Sequence, residues 1–296
     1  MSTQGWFPIS SVEAPLICSS VNLMLPRSGF SAGSLKRLTV DDPLFRDDLS
    51  GVYLDSSNEV RALCIVSVDS AGSKAWLKLL CAYQGYMGEL DSKVGSVVSS
   101  IKGMRIPEIR ASDRAGYHFR AGLEKSQRGE RSILQKHGFR SVRSVADIEL
   151  DLCLFKDFRP LRFSRDGCVF GPPEDPRRLL DFVEKNFGSY WRMETEASLK
   201  SGGVVQARMG DEIVGFANYC GFEDHWFGPT GVLEEFRGRG IGSELLFAAL
   251  TRMRERGLCR VTIPWTEHLT FYGQTDAVVA VKNLDIMVAG SFDSGV

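Results

Sequence analysis

The sequence has little of what marks nucleic-acid-binding, membrane and secreted proteins. Its 36 lysines and arginines face 37 aspartates and glutamates, a formal net charge of -1, so it lacks the basic excess that nucleic-acid-binding proteins usually show. Its apolar runs fall short of the ~18 residues of a membrane span, and residues 2–17 lack the basic start and apolar core of a signal peptide. We therefore expect a cytoplasmic protein without nucleic-acid or membrane partners.

Patterns of metal ligands and disulfides are also missing. None of the four histidines is spaced with cysteine or glutamate as zinc ligands are. The seven cysteines are odd in number, scattered, and form no C-x-x-C pair. We therefore expect no metal site, and cysteines that are reduced and mostly buried.

Size and composition are those of an ordinary globular protein. With 43% hydrophobic and 25% charged residues in a chain of 296, the sequence is long enough for two domains with separate cores. Patterns of period 2 and period 3.6 recur in the same order in both halves: hairpin, strand, helix, strand, short helix, strand. Hairpins are expected at Val60–Val68 with 75–82 and at 203–208 with Glu212–Tyr219, main helices at 90–101 and 241–253, and closing strands at 145–154 and 283–288.

These patterns predict an α/β (α+β) chain of two tandem domains, residues 1–156 and 157–296. Each domain is expected to have a mixed, mainly antiparallel central sheet flanked by helices. The segment 157–176 is rich in Arg, Pro and Gly and is predicted to be the link between them.

One stretch of the second half has a pattern typical of a ligand site. A predicted strand at 227–233 leads into Arg237-Gly238-Arg239-Gly240-Ile241-Gly242, and an amphipathic helix follows. Glycines at every second position allow the backbone to approach a ligand closely, and the first N–H groups of a helix favour phosphate. Arg237 and Arg239 can complement a pyrophosphate held by these N–H groups.

Two familiar phosphate-binding patterns do not fit this loop. A nucleoside-triphosphate P-loop requires G-x-x-x-x-G-K-[S/T], and no lysine follows Gly242. A dinucleotide fingerprint requires G-x-G-x-x-G, and counting from Gly238 or Gly240 places Ser243 or Leu245 at its last glycine. A glycine-rich helix start without a ligand is the remaining alternative, and the two loop arginines argue against it.

The pattern Arg237-x-x-Gly240-x-Gly242 resembles the acetyl-CoA motif Q/R-x-x-G-x-G/A of the GCN5-related N-acetyltransferase (GNAT) family. The resemblance covers about residues 158–296 and implies two acyl-CoA N-acyltransferase-like domains with acetyl-CoA as cosubstrate. It implies that Gly231, Val232 and Leu233 pair with the pantetheine arm, and that an N–H of Val232 or Leu233 polarises the thioester carbonyl at a strand bulge. The residues implied to hold the pyrophosphate are Arg237, Gly238, Arg239, Gly240, Ile241, Gly242 and Ser243.

A second family signature is a tyrosine in a short helix after the next strand, in a pattern like F-Y-x-x-x-G-F. This sequence has Phe271-Tyr272, but Asp276-Ala277 stands where the family has Gly-Phe. By resemblance, Tyr272 is the general acid that protonates the departing CoA thiolate. The alternative is a core tyrosine with a satisfied hydroxyl.

A general base is also required, because an ammonium group must lose a proton before it attacks a thioester. The candidates flank the cofactor strand and the strand after it: Glu223, Asp224, His225, Glu267 and His268. Glu223 and Asp224 are preferred because their loop leads directly into the strand at 227–233.

The first half has the same order of elements but no R-x-x-G-x-G. Residues 83–89 occupy the place of the loop, and only Lys136-His137-Gly138-Phe139 resembles the family's closing pattern. The first half therefore resembles a degenerate GNAT domain without a CoA motif, an arrangement similar to that of mycothiol synthase or the glucosaminide N-acetyltransferases. Such a half can help to shape the acceptor site.

Three functions remain open at this point. The first is transfer of acetyl from acetyl-CoA to the primary amine of a small molecule, such as an amino sugar, by direct attack in a ternary complex. The second is acetylation of a protein or peptide, which requires an open acidic groove. The third is a CoA-binding regulatory module without turnover, which an intact loop together with Tyr272 disfavours.

Overall fold

The structure is a computed structural model that describes residues 4–26 and 28–290. Its strands are β1 Gly5–Phe7, β2 Gly51–Leu54, β3 Val60–Val68, β4 Lys74–Ala82, β5 Glu108–Ala111, β6 Leu123–Glu124, β7 Arg140–Asp151, β8 Phe163–Arg165, β9 Cys168–Gly171, β10 Val204–Met209, β11 Glu212–Tyr219, β12 Phe227–Val232, β13 Arg260–Thr266 and β14 Val278–Gly290. Its helices are α1 Ala14–Met24, α2 Ala32–Leu38, α3 Met87–Gly103, α4 Arg128–Lys136, α5 Pro176–Phe187, α6 Ser189–Lys200, α7 Ile241–Glu255 and α8 Leu269–Gly273. Within these residues no helix is long and apolar enough to cross a membrane.

The chain divides into two compact units. One is Met1–Val145 with Asn283–Val296, and the other is Ala146–Lys282. The sequence prediction divides the chain at residue 156, whereas here the division falls after Val145 and the final segment belongs to the first unit. β7 therefore begins in the first unit and ends in the second, and β14 does the reverse.

In the first unit, a sheet of strand order β1-β2-β3-β4-β5-β14-β7 forms the central layer. Its pairs from β1 to β4 are antiparallel, β4 and β5 run parallel, and β5 and β14 are antiparallel. The predicted hairpin of β3 and β4 is present, and most side chains on both faces of its two strands are buried. The apolar stripe of α3, formed by Leu90, Val94, Val97, Val98 and Ile101, is fully buried against this sheet.

In the second unit, the antiparallel order β12-β11-β10-β9-β8 forms the main sheet. One face packs on α7, whose buried residues belong to a core cluster with Phe170, Ala207 and Ala217. The other face packs on α5 through Leu179, Val183 and Phe216. The mixed, mainly antiparallel α/β class is thus confirmed, but residues 157–176 were wrongly predicted as a link, because they contain β8 and β9.

β12 and β13 run parallel and are joined by a bridge near their starts. They form one isolated bridge, Trp226 with Thr262, in which the Thr262 N–H donates to the His225 carbonyl at 2.8 Å. β12 otherwise pairs with β11, and β13 with β7. Beyond the bridge the edge of β12 that faces away from β11 is therefore without a strand partner in the described chain.

The interior of the first unit contains an ion pair with no exposed side-chain surface. Lys78 on β4 donates to Asp42 at 2.6 Å, and Arg114 donates to the same carboxylate at 2.7 Å. Burial opposes ionisation of Asp42, but Arg114 and Lys78 outweigh it and hold the pKa of Asp42 at about 2. Removing one charge of a buried pair leaves the other without compensation, so this pair is costly to break.

We predict that Asp42→Asn lowers the free energy of unfolding by ~3–5 kcal/mol, because Lys78 then keeps a buried charge without its carboxylate. The neighbouring Asp41→Asn is the matched control. Asp41 pairs with Lys36 at the surface, where both side chains are largely exposed, so its loss costs at most ~1 kcal/mol. Urea unfolding of both variants checks this, and equal midpoints would contradict it.

Candidate functional site

The loop between β12 and α7 has the backbone geometry of an anion site. A short 3-10 turn, Glu234–Phe236, follows β12, and Gly238 and Gly240 then adopt φ of 75° and 76°. Gly240 is the N-cap of α7, and no side chain caps this helix. Because the first N–H groups of a helix have no partner within it, those of α7 point into the glycine loop and can bind an anion.

The two loop arginines are exposed and held at the loop by main-chain oxygens. Arg237 donates from Nε to the Val232 carbonyl at 3.1 Å. Arg239 donates to the Glu235 carbonyl at 3.3 Å, and its guanidinium lies 5.2 Å from the centre of the Phe236 ring. Both positive charges are therefore at the mouth of the loop, next to the uncapped helix end.

Glu244, in the first turn of α7, is a buried carboxylate beneath this loop. Arg159 and Arg165 both form ion pairs with it. Burial opposes its ionisation, but hydrogen bonds from Arg159 and the charges of both arginines outweigh burial and lower the pKa of Glu244. The negative charge that lies nearest the helix start is therefore compensated by two guanidinium groups.

The open edge of β12 presents specific backbone groups. The Leu233 N–H donates to the Val214 carbonyl of β11 at 2.9 Å. Since adjacent residues of an antiparallel strand point their N–H groups to opposite edges, the N–H groups of Thr230 and Val232 face away from β11. Of the two N–H donors predicted for the thioester carbonyl, the Val232 group faces this edge and the Leu233 group is used within the sheet.

Two further features shape β12. Gly228 and Pro229 together oppose the single residue Asn218, which is a bulge. At Gly231 a Cβ would lie 2.8 Å from the ring of Phe187, so the end of α5 packs directly on the strand backbone. The predicted bulge is thus present in this strand, but it precedes the 231–233 segment.

Tyr272 is brought to this strand by α8. Its ring centre lies 6.1 Å from that of Phe227 on β12, and the neighbouring Phe271 ring lies 3.4 Å from where a Cβ of Gly242 would be. Burial raises the pKa of Tyr272 to about 12, and the hydrogen bond that its oxygen accepts from the Thr266 side chain acts in the opposite sense. The phenol therefore keeps its proton at neutral pH, as a hydrogen-bond donor or general acid must.

The candidate bases differ in burial. Glu223 is 8% exposed, directly before β12, whereas Asp224 beside it is exposed. Burial lowers the pKa of His225 and so favours its neutral imidazole. Glu267 and His268 are exposed at the start of α8. The segment that contains Glu223, Asp224 and His225 adjoins the Trp226 bridge, where β12 and β13 meet.

Three residues around this site carry no recognisable signal in the sequence. The side chain of Thr266 is hydrogen-bonded to the side chain of Tyr272. Asp147 on β7 accepts a hydrogen bond from the Trp265 N–H at 3.0 Å, where Trp265 has φ of 52° within a bulge of β13. Thr230 on β12 has a buried hydroxyl without a hydrogen-bond partner. Each depends on strand register, which a single threonine or aspartate in a sequence does not indicate.

The corresponding turn of the first unit has a different geometry. After β4, a 3-10 turn at Gln84–Tyr86 runs directly into α3 at Met87. No residue from 83 to 89 adopts positive φ, although Gly85 and Gly88 lie there. The four-residue loop 237–240 therefore has no counterpart in this turn, and the backbone does not form the same cradle.

Among the described residues, no group of three or more His, Cys, Asp or Glu side chains is placed to hold a metal ion. The seven cysteines are free thiols.

We predict that the absorbance titration of the tyrosines is the same in the wild type and in Tyr272→Phe up to about pH 11. The buried phenol of Tyr272 ionises only near its raised pKa of about 12, so replacing it removes no phenolate below that pH. A loss of one phenolate by pH 10 in the variant would contradict the burial described above.

Comparison with known proteins agrees with this geometry. Residues 173–270 match the model of the acetyltransferase (GNAT) family, and no curated protein sequence matches the chain. The matched segment contains α5, α6, the strands β10 to β13, the glycine loop and α7. The family is one of acetyltransferases, so the match supports acetyl transfer in general.

Three solved structures share the fold over almost the whole chain. A GCN5-related glucosamine N-acetyltransferase region of a fungal multi-domain GH3 β-N-acetylglucosaminidase has a TM-score of 0.73 at 16% identity, covering 97% of this chain and 38% of that one. A GCN5-related N-acetyltransferase from Sphaerobacter thermophilus has a TM-score of 0.71 at 18% identity, covering 97% and 94%. A tandem GNAT protein from the clavulanic acid biosynthesis pathway has a TM-score of 0.67 at 13% identity, covering 95% and 94%.

At these identities the three likenesses establish the fold alone, and the chain spans well under half of the fungal protein. Together with the matched segment they confirm the resemblance predicted from the glycine loop. Residues 173–270 therefore resemble the acetyltransferase (GNAT) family, and the chain shares its fold with GCN5-related N-acetyltransferases, one of them a tandem GNAT protein.

Proposed function

We propose that this protein transfers the acetyl group of acetyl-CoA to the primary amine of a small molecule, by direct attack in a ternary complex. The observation that carries the proposal is the loop at Gly238 and Gly240. Its left-handed glycines lead into an uncapped helix start, beside a strand edge with free N–H groups. A pyrophosphate followed by an amide-containing arm matches these two features in order along the chain.

The cosubstrate is proposed to lie along the edge of β12 that faces away from β11. Its pyrophosphate accepts from the N–H groups of residues 238–243, and Arg237 and Arg239 add positive charge. The family resemblance implies a pantetheine arm along residues 231–233. Of these residues Val232 has the N–H that faces this edge, whereas the Leu233 N–H is bonded to β11, so the arm is proposed to accept from the Val232 N–H. The ion pairs of Glu244 with Arg159 and Arg165 keep that carboxylate from repelling the phosphates.

Tyr272 is proposed as the general acid. The amine nitrogen attacks the thioester carbonyl carbon, a C–N bond forms, and the C–S bond breaks with its electron pair on sulfur. The Tyr272 O–H then gives its proton to the thiolate, and the phenolate recovers a proton from solvent. A pKa of about 12 means that the phenol is protonated when the thiolate leaves.

Glu223 and Asp224 are proposed to supply the base, and Glu223 is the stronger candidate. A carboxylate that is 8% exposed is shielded from bulk water, which strengthens its interaction with a cationic amine. The acceptor ammonium first loses a proton to this carboxylate, directly or through a water, and the neutral amine then attacks. The second proton, which nitrogen loses as the amide forms, passes to solvent. The exposed Asp224 lies next to it in the same segment and adds negative charge there.

An amino sugar is the first acceptor to test. The fungal protein of the same fold is described as a glucosamine N-acetyltransferase region, which is a reason to try glucosamine and not a proof of specificity. A peptide acceptor and a CoA-binding module without turnover are the competing functions, and the assays below separate them.

We predict that Gly240→Asp weakens acetyl-CoA binding at least ~100-fold, about 2.7 kcal/mol, because its carboxylate lies beside the phosphates. Gly210→Asp is the matched control. Gly210 also has positive φ, at the β10–β11 turn, and at both positions an added Cβ meets no atom within 4 Å. Calorimetric titration of both variants checks this, and unchanged affinity in Gly240→Asp would overturn the placement of the cofactor loop.

We also predict that the wild-type protein releases CoA and forms an N-acetylated product with at least one small primary amine, when glucosamine, other amino sugars, polyamines and a basic peptide are compared. In Tyr272→Phe we expect kcat to fall by ~10²-fold or more, within the usual range for a lost general acid. Acetyl-CoA affinity should change little. The two quantities are measured by thiol release and by calorimetry.

Turnover with the peptide alone would favour the protein-acetylating alternative, and binding of acetyl-CoA without turnover on any amine would favour the regulatory module. A Tyr272→Phe variant with wild-type kcat would remove Tyr272 from the mechanism.

A further inference from the structure

We infer that the side-chain hydroxyl of Thr230 donates a hydrogen bond to the acyl carbonyl oxygen of the bound thioester. This inference rests on the proposed function, since it names a further residue of the same site. It begins from a hydroxyl that is buried and has no hydrogen-bond partner within residues 4–26 and 28–290. Buried polar groups in native proteins are nearly always paired, so such a group requires an explanation.

The bulge in β12 decides which way this hydroxyl points. Phe227 opposes Tyr219, and Thr230 opposes Ala217. Residues directly opposite each other in an antiparallel pair share a face, and both Tyr219 and Ala217 belong to the core beneath α7. Because Gly228 and Pro229 add one residue to the strand, Phe227 and Thr230 lie on the same face, although an unbulged strand would place them on opposite faces.

That face is the one on which the other cofactor groups lie. Val232, two residues further, packs on the same core, and α7 begins at the glycine loop above it. Tyr272 is part of this core and contacts Phe227. The Thr230 hydroxyl therefore lies along β12 between the proposed general acid and the proposed pyrophosphate loop, where the thioester end of the cosubstrate is expected.

Thr230 offers two donors to this position. Its N–H faces the strand edge away from β11, and its Oγ1 is on the α7 face without a partner. Threonine hydroxyls within regular structure commonly bond a nearby main-chain carbonyl, as Thr251 does to Phe247 and Thr275 to Tyr272 in this protein. At Thr230 no such bond forms, which leaves the O–H free to donate to a ligand.

The chemistry gives this donor a role in rate. When the amine attacks, negative charge develops on the carbonyl oxygen, and a fixed O–H in a water-poor site stabilises it more than it stabilises the ground state. The hydroxyl keeps its proton throughout, so no proton transfer is added to the reaction. The loss of one such donor commonly costs ~10²–10³-fold in kcat, whereas an ordinary neutral hydrogen bond is worth ~2–10-fold.

Two substitutions at one position test this. Thr230→Val keeps the shape and removes the O–H, and we expect it to lower kcat by ~10–100-fold. Thr230→Ser keeps the O–H and removes a methyl, and we expect kcat within ~3-fold of the wild type. Because the hydroxyl has no partner in the protein, Thr230→Val should melt at the same temperature as the wild type or higher.

Binding of CoA, which lacks the acyl group, identifies the contact. We expect equal CoA affinity in the wild type and both variants, since only the acyl oxygen is bonded. A kcat in Thr230→Val within twofold of the wild type, an equal loss in Thr230→Ser, or a loss of CoA affinity as large as the loss in kcat would overturn the inference. Absence of acetyl transfer by the wild type would instead refute the proposed function, so the two failures are distinct.

Discussion

The site depends on one constraint, which is that β12 pairs fully with β11 but meets β13 only at a single bridge. Trp226 and Thr262 hold the two parallel strands together at their starts, and their remaining lengths pair with different neighbours. An unpaired strand edge presents a row of free N–H and C=O groups, which natural proteins usually cover or blunt. Such an edge can otherwise pair with another protein chain. Here the edge leads to the glycine loop, so an extended, amide-containing ligand can pair with it.

The electrostatics around the loop follow from the same arrangement. The uncapped start of α7 carries partial positive charge, and Arg237 and Arg239 lie at its mouth. Glu244 in the first turn is buried between Arg159 and Arg165. These two arginines come from the segment before β9, which also contains β8. The segment therefore both extends the sheet and compensates the charge of Glu244 beneath the proposed phosphate site.

The two units differ by only a few residues at the turn that precedes the main helix. Both have a strand, a 3-10 turn and a buried helix in that order. Only the second has residues 237–240 between turn and helix, with two glycines at positive φ. Backbone conformations of this kind are open to glycine at low cost and to few other residues, so the sequence pattern and the geometry agree there. The fold class and the family resemblance were predictable from such local signals.

Other parts were not predictable, for physical reasons. α6 buries Thr195 and Ser198 and shows no apolar stripe, so helical periodicity does not indicate this helix. β8 and β9 are three and four residues long within a segment rich in Arg and Pro, so they are too short for an alternating pattern to be recognised. The orientation of the N–H groups at Thr230, Val232 and Leu233 depends on strand register and on the bulge at Gly228 and Pro229. The sequence pattern predicts neither the register nor the position of the bulge. Tyr272 was singled out by its motif. Asp147 acts through a contact with Trp265 that is distant in sequence, and the contact of Thr266 with Tyr272 depends on how the chain turns between β13 and α8.

The central claim is that acetyl-CoA binds once per chain, along β12 and into the loop before α7. Amide hydrogen exchange of the full chain, with and without saturating acetyl-CoA, tests it most directly. We expect exchange to slow across residues 230–243, where the strand edge and the helix start supply the N–H groups, and to stay unchanged across residues 83–89. Unchanged exchange across 230–243, or slowed exchange across 83–89, would contradict a single cofactor site in the second unit.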